Sequence, residues 1–272
     1  MGVWLGVSEK ESNSRNQMKL SLIIPAYYEE MNIIPTLNSL LATLRHESIP
    51  FEIVVVNDNC QDNTRQLVEE KQKEIPEIIL VNRTLPRGFG RTVRSGLKHT
   101  TGDVIILVMA DLSDDAQDVI RYYRKIEEGY DCVFGSRFTK ESKVTGYPKV
   151  KLIINRMVNR MLQILFLTRH NDLTNAFKAY RSHVIRDIMP LQASHFNITI
   201  EMSLSALIRK YKIASVPINW NGRTWGSSDL KLRVMGRRYL ATLLKIWFER
   251  MLIMDDLMAD KEPNSDLFFR QD

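Results

Sequence analysis

Three short segments carry side chains whose types and spacing could do chemistry. The first, VMADLSDD from Val108 to Asp115, leaves an apolar run and delivers Asp111, Asp114 and Asp115 within five residues. Hard divalent cations such as Mg²⁺ or Mn²⁺ take oxygen ligands and commonly share them with phosphates, so carboxylates in this place suit a metal–diphosphate site. The same residues also suit a helix start, with Ser113 or Asp114 as the cap and the acids favoured by the helix dipole. The second, VVVNDNCQDNT, sets Asp58 just past another apolar run. A carboxylate there can accept from the N–H donors of uracil or guanine and select the base, because a mismatched base would leave a buried group unpaired. Asn and Asp are equally the residues of an ordinary turn. The third, RGFGR, carries Arg87 and Arg91 with Arg83 upstream, which could meet phosphate or simply lie exposed on a loop.

The elements that must position these residues follow from the apolar periodicity. Leu20 to Ile24 reads as a strand ended by Pro25, and Ile33 to Leu44 as a helix. Phe51 to Val56 is a strand stopped by the NDN turn, and Asp62 or Thr64 can start the next helix. Ile78 to Val81 is a third strand, Thr92 to His99 a helix and Val104 to Ala110 a strongly apolar strand. Strands that alternate with helices and are apolar throughout predict a mostly parallel sheet covered on both faces. In such sheets ligands bind at the carboxyl ends of the strands. Those ends carry residues 25–30, 57–62 and 111–115, so three polar loops should converge on one crevice.

After a helix from about Asp118 to Glu128 and a strand around Cys132 to Phe134, the pattern changes. Lys151 to Leu167 is helical and apolar on most faces, with Arg156 and Arg160 forming a basic line. Arg237 to Met254 likewise has an apolar stripe with basic flanks. Either helix could lie on a membrane surface, or pack on the sheet or on a second copy in a homo-oligomer. The chain is organised as a lead-in over 1–17, a catalytic unit over 18–236, an amphipathic helix over 237–258 and a loose acidic tail over 259–272.

Composition narrows the partners. A chain of 272 residues with 44% hydrophobic content can bury a sizeable core, and a net charge of +6 points to an anionic partner. Cys60 and Cys132 stand too far apart in sequence for a disulfide framework or zinc site, which fits a reducing cytoplasm. The sequence has neither a long uncharged apolar run nor a signal-like start, so a peripheral association with the cytoplasmic membrane face is expected and a spanning helix is not. Nucleic-acid binding would want basic clusters interleaved with aromatics, whereas here acids gather at strand ends. The first loop lacks the glycines of a dinucleotide-binding turn.

The order SLIIPAYYEE, VVVNDNCQDNT, RGFGRTVRSGLKHTTGDVIILVMADLSDD, FGSRF, GYPKVKLIINR, NDLTNAFKAYR and NGRTWGSS resembles family 2 glycosyltransferases. The nearest branch is the polyprenyl (dolichyl) phosphate mannosyl and glucosyl transferases. The resemblance spans about Leu20 to Leu240. It implies an α/β fold of the A-type glycosyltransferase class, and an inverting transfer of a hexose from a nucleotide-diphosphate sugar, of GDP-mannose or UDP-glucose type, to a polyprenyl phosphate. It implies that Pro25, Tyr27, Glu29 and Asp58 hold the nucleoside, with Arg87 on the donor side, and that the Asp111 loop holds metal and diphosphate. Arg137 and Arg223 are implied to handle phosphates, Lys151 to precede an interface helix, and Asp172 and Glu201 to lie on the acceptor side.

Departures from the family pattern are equally specific. The Asp-x-Asp-x-Gln of the metal loop reads Met109, Asp111 and Ser113, so Asp114 or Asp115 must supply any further carboxylate. Tyr28 stands where the family has Asn, Asn57 where it has Asp, and Asp229 where it has Lys. A lipid phosphate acceptor is already anionic near neutral pH and needs no strong base. A sugar hydroxyl acceptor, as in envelope-glycan synthesis, needs a positioned carboxylate, for which Asp172 is the candidate. The remaining reading is a non-catalytic nucleotide-sugar-binding homologue.

Overall fold

The structure is a computed structural model and describes residues 17–222 and 232–252. Its frame is a seven-stranded sheet of strand order β3-β2-β1-β4-β7-β5-β8. The strands are β1 (Leu20–Ala26), β2 (Phe51–Asn57), β3 (Ile78–Asn82), β4 (Val104–Leu107), β5 (Cys132–Ser136), β7 (Lys178–Arg181) and β8 (Ile213–Pro217). A separate pair joins β6 (Val144–Thr145) to β9 (Trp220–Asn221). The helices are α1 (Ile33–His46), α2 (Thr64–Glu74), α3 (Phe89–Leu97), α4 (Ala116–Glu127), α5 (Lys149–Phe166), α6 (Ser182–Asp187), α7 (Ile198–Ile208) and α8 (Leu232–Leu252).

β3, β2, β1 and β4 run parallel, as the uninterrupted apolar strands predict. β7 is antiparallel to both β4 and β5, an inversion that no pattern in its four residues announces. It brings the NDLTNAF segment back across the sheet, so that the ends of β4 and β5 open onto one crevice. Each face of the sheet is covered. One core holds Leu22, Ile24, Val55, Ile106, Tyr122 and Phe177, and the other holds Ile23, Val54, Ile105, Phe134, Leu204 and Ile246. This two-sided burial is why the strand residues have no polar alternation.

Several boundaries shift for local reasons. Pro25 does not end β1, which continues to Ala26 in register with Asn57. The helix after the RGFGR loop begins at Phe89, three residues earlier than expected, with Gly88 as its N-terminal neighbour. Gly96 lets α3 sit close on β1, since a Cβ there would lie 2.6 Å from Ile23 Cγ2. Asp115, and neither Ser113 nor Asp114, caps α4 by accepting from Gln117 N at 2.9 Å. The C-terminal helix starts at Leu232, and the acidic tail and most of the lead-in lie outside the described residues.

At the opposite end of the sheet from the crevice, Glu52 is buried in a polar knot. Its carboxylate accepts from Ser21 Oγ (2.6 Å), Thr101 N (2.6 Å), Thr101 Oγ1 (2.7 Å) and Lys19 Nζ (2.6 Å). Burial pushes its pKa up, but these hydrogen bonds outweigh burial and leave it below its ordinary value of 4.5. A carboxyl depressed in the folded state stabilises above its unfolded pKa and loses that contribution as pH falls through the folded one. Unfolding by urea between pH 6 and 2.5 should therefore show a loss of stability below about pH 4.5 that is shallower in Glu52→Gln. At pH 7, Glu52→Ala should cost about 1.5–3 kcal/mol, the value of a charge-assisted hydrogen-bonded group.

Candidate active site

The side of the crevice expected to take the donor is built from the ends of β1 and β2 and the loop before α3. Asp58 is buried just beyond β2, and its backbone N–H donates to Ala26 O at 3.0 Å, which locks the two strand ends together. One carboxylate oxygen is ion-paired with Arg83, and the other accepts from Gly88 N at 2.8 Å. Each oxygen keeps a second lone pair, so the group can still accept from a ligand. Arg87 donates to Tyr27 Oη at 2.9 Å and to Asn59 O at 3.0 Å, and its guanidinium lies 5.1 Å from the centroid of the Tyr27 ring. Its Nε is buried without a partner among the described residues. Tyr27, Asp58 and Arg87 are thus one cluster, to which the structure adds Arg83.

Pro25 and Glu29 are part of the frame beneath it. Pro25 is buried in β1 opposite Val56, and Glu29 is buried with its carboxylate accepting from Asn32 Nδ2 at 2.7 Å. Each loop of the crevice holds one residue other than glycine in the left-handed conformation: Tyr28 at φ 56°, Asn59 at φ 57° and Leu112 at φ 60°. Asn adopts it easily, whereas Tyr and Leu do so at a cost, and such backbone is found where a site dictates the loop.

The acidic loop lies next to this cluster at the end of β4. Asp111 is buried and accepts from Ser113 N at 3.2 Å. Asp114 accepts from Met109 N at 2.9 Å, and burial pushes its pKa up to about 7, with the Met109 bond pulling it back and the charge of Asp111 adding to the rise. Asp115 has one oxygen on the helix cap and the other 3.4 Å from Asn219 Nδ2. Among the described residues, no three His, Cys, Asp or Glu side chains gather as a metal-holding group.

Facing the acidic loop is a buried ion pair. Arg137, just after β5, donates from Nε and Nη2 to the two oxygens of Asp172, both at 2.8 Å, and its backbone N–H donates to Asp172 at 3.1 Å. Burial works against the charged guanidinium, yet the pairing with Asp172 more than offsets it and holds the Arg137 pKa above its usual value. The charges of Arg137 and Asp114 are felt by one another, which places this pair and the acidic loop in one electrostatic environment. Because both Asp172 oxygens are engaged, its evident work is to aim Arg137. Sequence reading missed Lys178, which is buried on β7 and donates to the carbonyls of Leu173 (2.7 Å) and Asn175, pinning the turn that carries Asp172. Burial pushes its pKa down to about 7.

The remaining expected residues fall around this centre. Asn221 N donates to Ser113 O at 3.1 Å, and Gly222 N to Thr145 O at 2.8 Å, so the NGRTWGSS segment starts beside the acidic loop. Arg223 itself lies outside the described residues. Lys151 is half-buried in the first turn of α5. Glu201 is buried on α7 and its carboxylate accepts from Gln192 N and Ala193 N, behind the donor-side loop.

A sheet of this topology, with a polar cluster at β1 and β2 and acids after β4, is that of the A-type glycosyltransferase fold. The chain belongs to the family described as Glycosyl transferase family 2, which matches residues 21–189. It is 30% identical over 218 residues to a dolichol-phosphate mannosyltransferase of Pyrococcus furiosus, covering 79% of this chain and 60% of that protein. It is 30% identical over 174 residues to an undecaprenyl-phosphate 4-deoxy-4-formamido-L-arabinose transferase of Shewanella sediminis, covering 62% and 50%. The chain thus spans between half and three fifths of the length of these relatives. In fold it resembles the glucosyl-3-phosphoglycerate synthase of Mycobacterium tuberculosis, solved with Mn²⁺, UDP and glucosyl-3-phosphoglycerate, at a TM-score of 0.65 and 19% identity over 84% of this chain and 80% of that one.

The Arg137–Asp172 pair yields a prediction that does not depend on the substrate. Removing one partner of a buried pair strands the other charge, so Asp172→Ala should cost about 3–5 kcal/mol in urea unfolding. A loss below about 1 kcal/mol would mean that the pair is solvated.

Proposed function

We propose that the protein transfers a hexose from a nucleotide-diphosphate sugar to a polyprenyl phosphate at a membrane surface. The observation that carries this reading is the buried, bidentate Arg137–Asp172 pair beside the acidic loop. Asp172 takes two of the five guanidinium N–H donors, which leaves others to meet a phosphate, and its carboxylate is committed to the arginine. An acceptor that arrives already ionised needs no base, which matches a site whose nearest carboxylate is unavailable for one.

The donor's base would be read by Asp58 and stacked near Tyr27, with Arg87 beside its phosphates. Asp111 and Asp114 fit a divalent cation: they are two carboxylates of one loop whose mutual repulsion a cation would relieve, while Asp115 is occupied by its cap. Mg²⁺ or Mn²⁺ bound there would take its other ligands from diphosphate and water and would neutralise the leaving group. Arg137 orients the acceptor phosphate for attack on the anomeric carbon from the face opposite the departing diphosphate, and contributes fixed charge as the bond breaks.

Two helices support an acceptor held in lipid. α5 exposes Val150, Ile153, Met157, Met161 and Ile164, and α8 exposes Leu240, Leu244, Phe248 and Met251, each set at helical spacing. Arg250 of α8 donates to Leu165 O of α5 at 3.4 Å, so the two helices meet. Beside α5 lies a groove of about 1040 Å³ lined by Phe138, Arg156, Met157, Arg160, Ile164 and Arg169. Apolar stripes edged by arginine suit an interfacial position on anionic lipid. No helix among the described residues is long and apolar enough to cross a membrane.

Nucleotide binding tests the donor half. UDP or GDP should bind in calorimetry, with Mn²⁺ increasing the affinity. Asp58→Ala should weaken binding by one to two decades, the equivalent of about 1.5–3 kcal/mol. Asp111→Asn should bind nucleotide with no Mn²⁺ effect and should lose the Mn²⁺ signal in electron paramagnetic resonance. Transfer tests the acceptor half: radiolabelled sugar from the donor that binds should appear on a short polyprenyl phosphate, at a rate cut at least a hundredfold in Arg137→Ala. Label that appears only on a glycan would replace this acceptor with an envelope polysaccharide.

A further inference from the structure

The segment joining α6 to α7 lies directly behind the donor-side loop. Gly90 N and Arg91 N both donate to Ser194 O, at 3.1 and 3.4 Å, and Phe89 stacks on Phe196 with ring centroids 4.4 Å apart. A Cβ on Gly90 would lie 2.5 Å from Ala193 O and 2.8 Å from His195 O, so the approach is backbone on backbone. The loop that hands Gly88 N to Asp58 is therefore seated on residues 193–195.

One carboxylate holds that seat. Glu201, 1% exposed on α7, accepts from Gln192 N through both oxygens at 3.0 and 3.1 Å and from Ala193 N at 2.7 Å. Lys245 of α8 pairs with the same carboxylate at 2.9 Å. We propose that Glu201 is a positioning residue for the donor nucleotide, and that Lys245 makes the C-terminal helix part of the donor site. The chain of contacts runs from Lys245 through Glu201 to Ala193, then through Ser194 O to the turn at Gly90 and on to Gly88 N and Asp58. Both oxygens of Glu201 face N–H donors, so an amide in its place must turn its own NH₂ toward one of them. This inference rests on the donor reading of Asp58 given above.

A second clamp between α7 and α8 supplies the control. Arg209 and Glu249 pair at 2.7 Å, two turns along α7 from Glu201 and away from the seat. Calorimetric titration with UDP and GDP, together with thermal unfolding, should be run on the parent protein, Glu201→Gln, Lys245→Met, Lys245→Arg and Arg209→Gln. Glu201→Gln should weaken nucleotide binding at least tenfold and Lys245→Met about threefold or more, with Lys245→Arg returning close to the parent. Arg209→Gln should lower Tm and leave nucleotide affinity unchanged. Should Glu201→Gln fail to fold, Lys245→Met carries the test, because it leaves both N–H bonds in place. Parent-like affinity in Lys245→Met, or equal weakening in Arg209→Gln, overturns the proposal. A parent protein that binds neither nucleotide overturns the donor reading itself and this inference with it.

Discussion

The pairing of Arg137 with Asp172 is the interaction on which the crevice depends. Two opposite charges lie buried where the end of β5 meets the turn before β7, and neither could stay there alone. Holding them together requires β7 to return antiparallel between β4 and β5, and it requires the 173–175 turn to be pinned from beneath by Lys178. The acidic loop then shares its electrostatic environment with this buried pair.

The three crevice loops are each anchored by polar contacts made mainly outside the loop. Glu29 N–H is held by Thr64 Oγ1, Asp58 by Arg83 and Gly88, and in the third loop Asp114 by Met109 and Asp115 by the first turn of α4. Left-handed residues at Tyr28 and Leu112 show that loop geometry, and not local preference, sets the backbone there. Tyr28, which stands where the family pattern has Asn, takes this conformation although the residue suits it less well. The tertiary frame supplies what the local sequence withholds.

The same division explains the roles of the three acids after β4. As a string, Asp111 matches the metal motif, and Asp114 and Asp115 are equal candidates for a second carboxylate. Folding separates them, because the start of α4 needs a cap and Asp115 is in position to provide it, while Asp114 turns back to the Met109 N–H. Likewise the resemblance puts Glu201 on the acceptor side, and nothing local in the sequence gives its partners. Its three backbone and side-chain partners come from Gln192, Ala193 and Lys245, up to 44 residues away.

The sequence by itself determined the parallel half of the sheet, the two covered faces, the convergence of three loops at strand ends and the membership of the glycosyltransferase class. These follow from periodicity, from strand apolarity and from ordered motifs, all of which are local. Only the tertiary structure decided the antiparallel insertion of β7, the union of Asp58 with Arg83 and Gly88, the capture of Asp172 by Arg137, and the seat beneath the donor loop. Each joins residues far apart along the chain, and a four-residue strand such as β7 carries too little pattern to reveal its direction. Burial is what makes these distant pairings specific, since an unpaired charge or N–H group inside the protein costs more than the ordering of the chain that satisfies it.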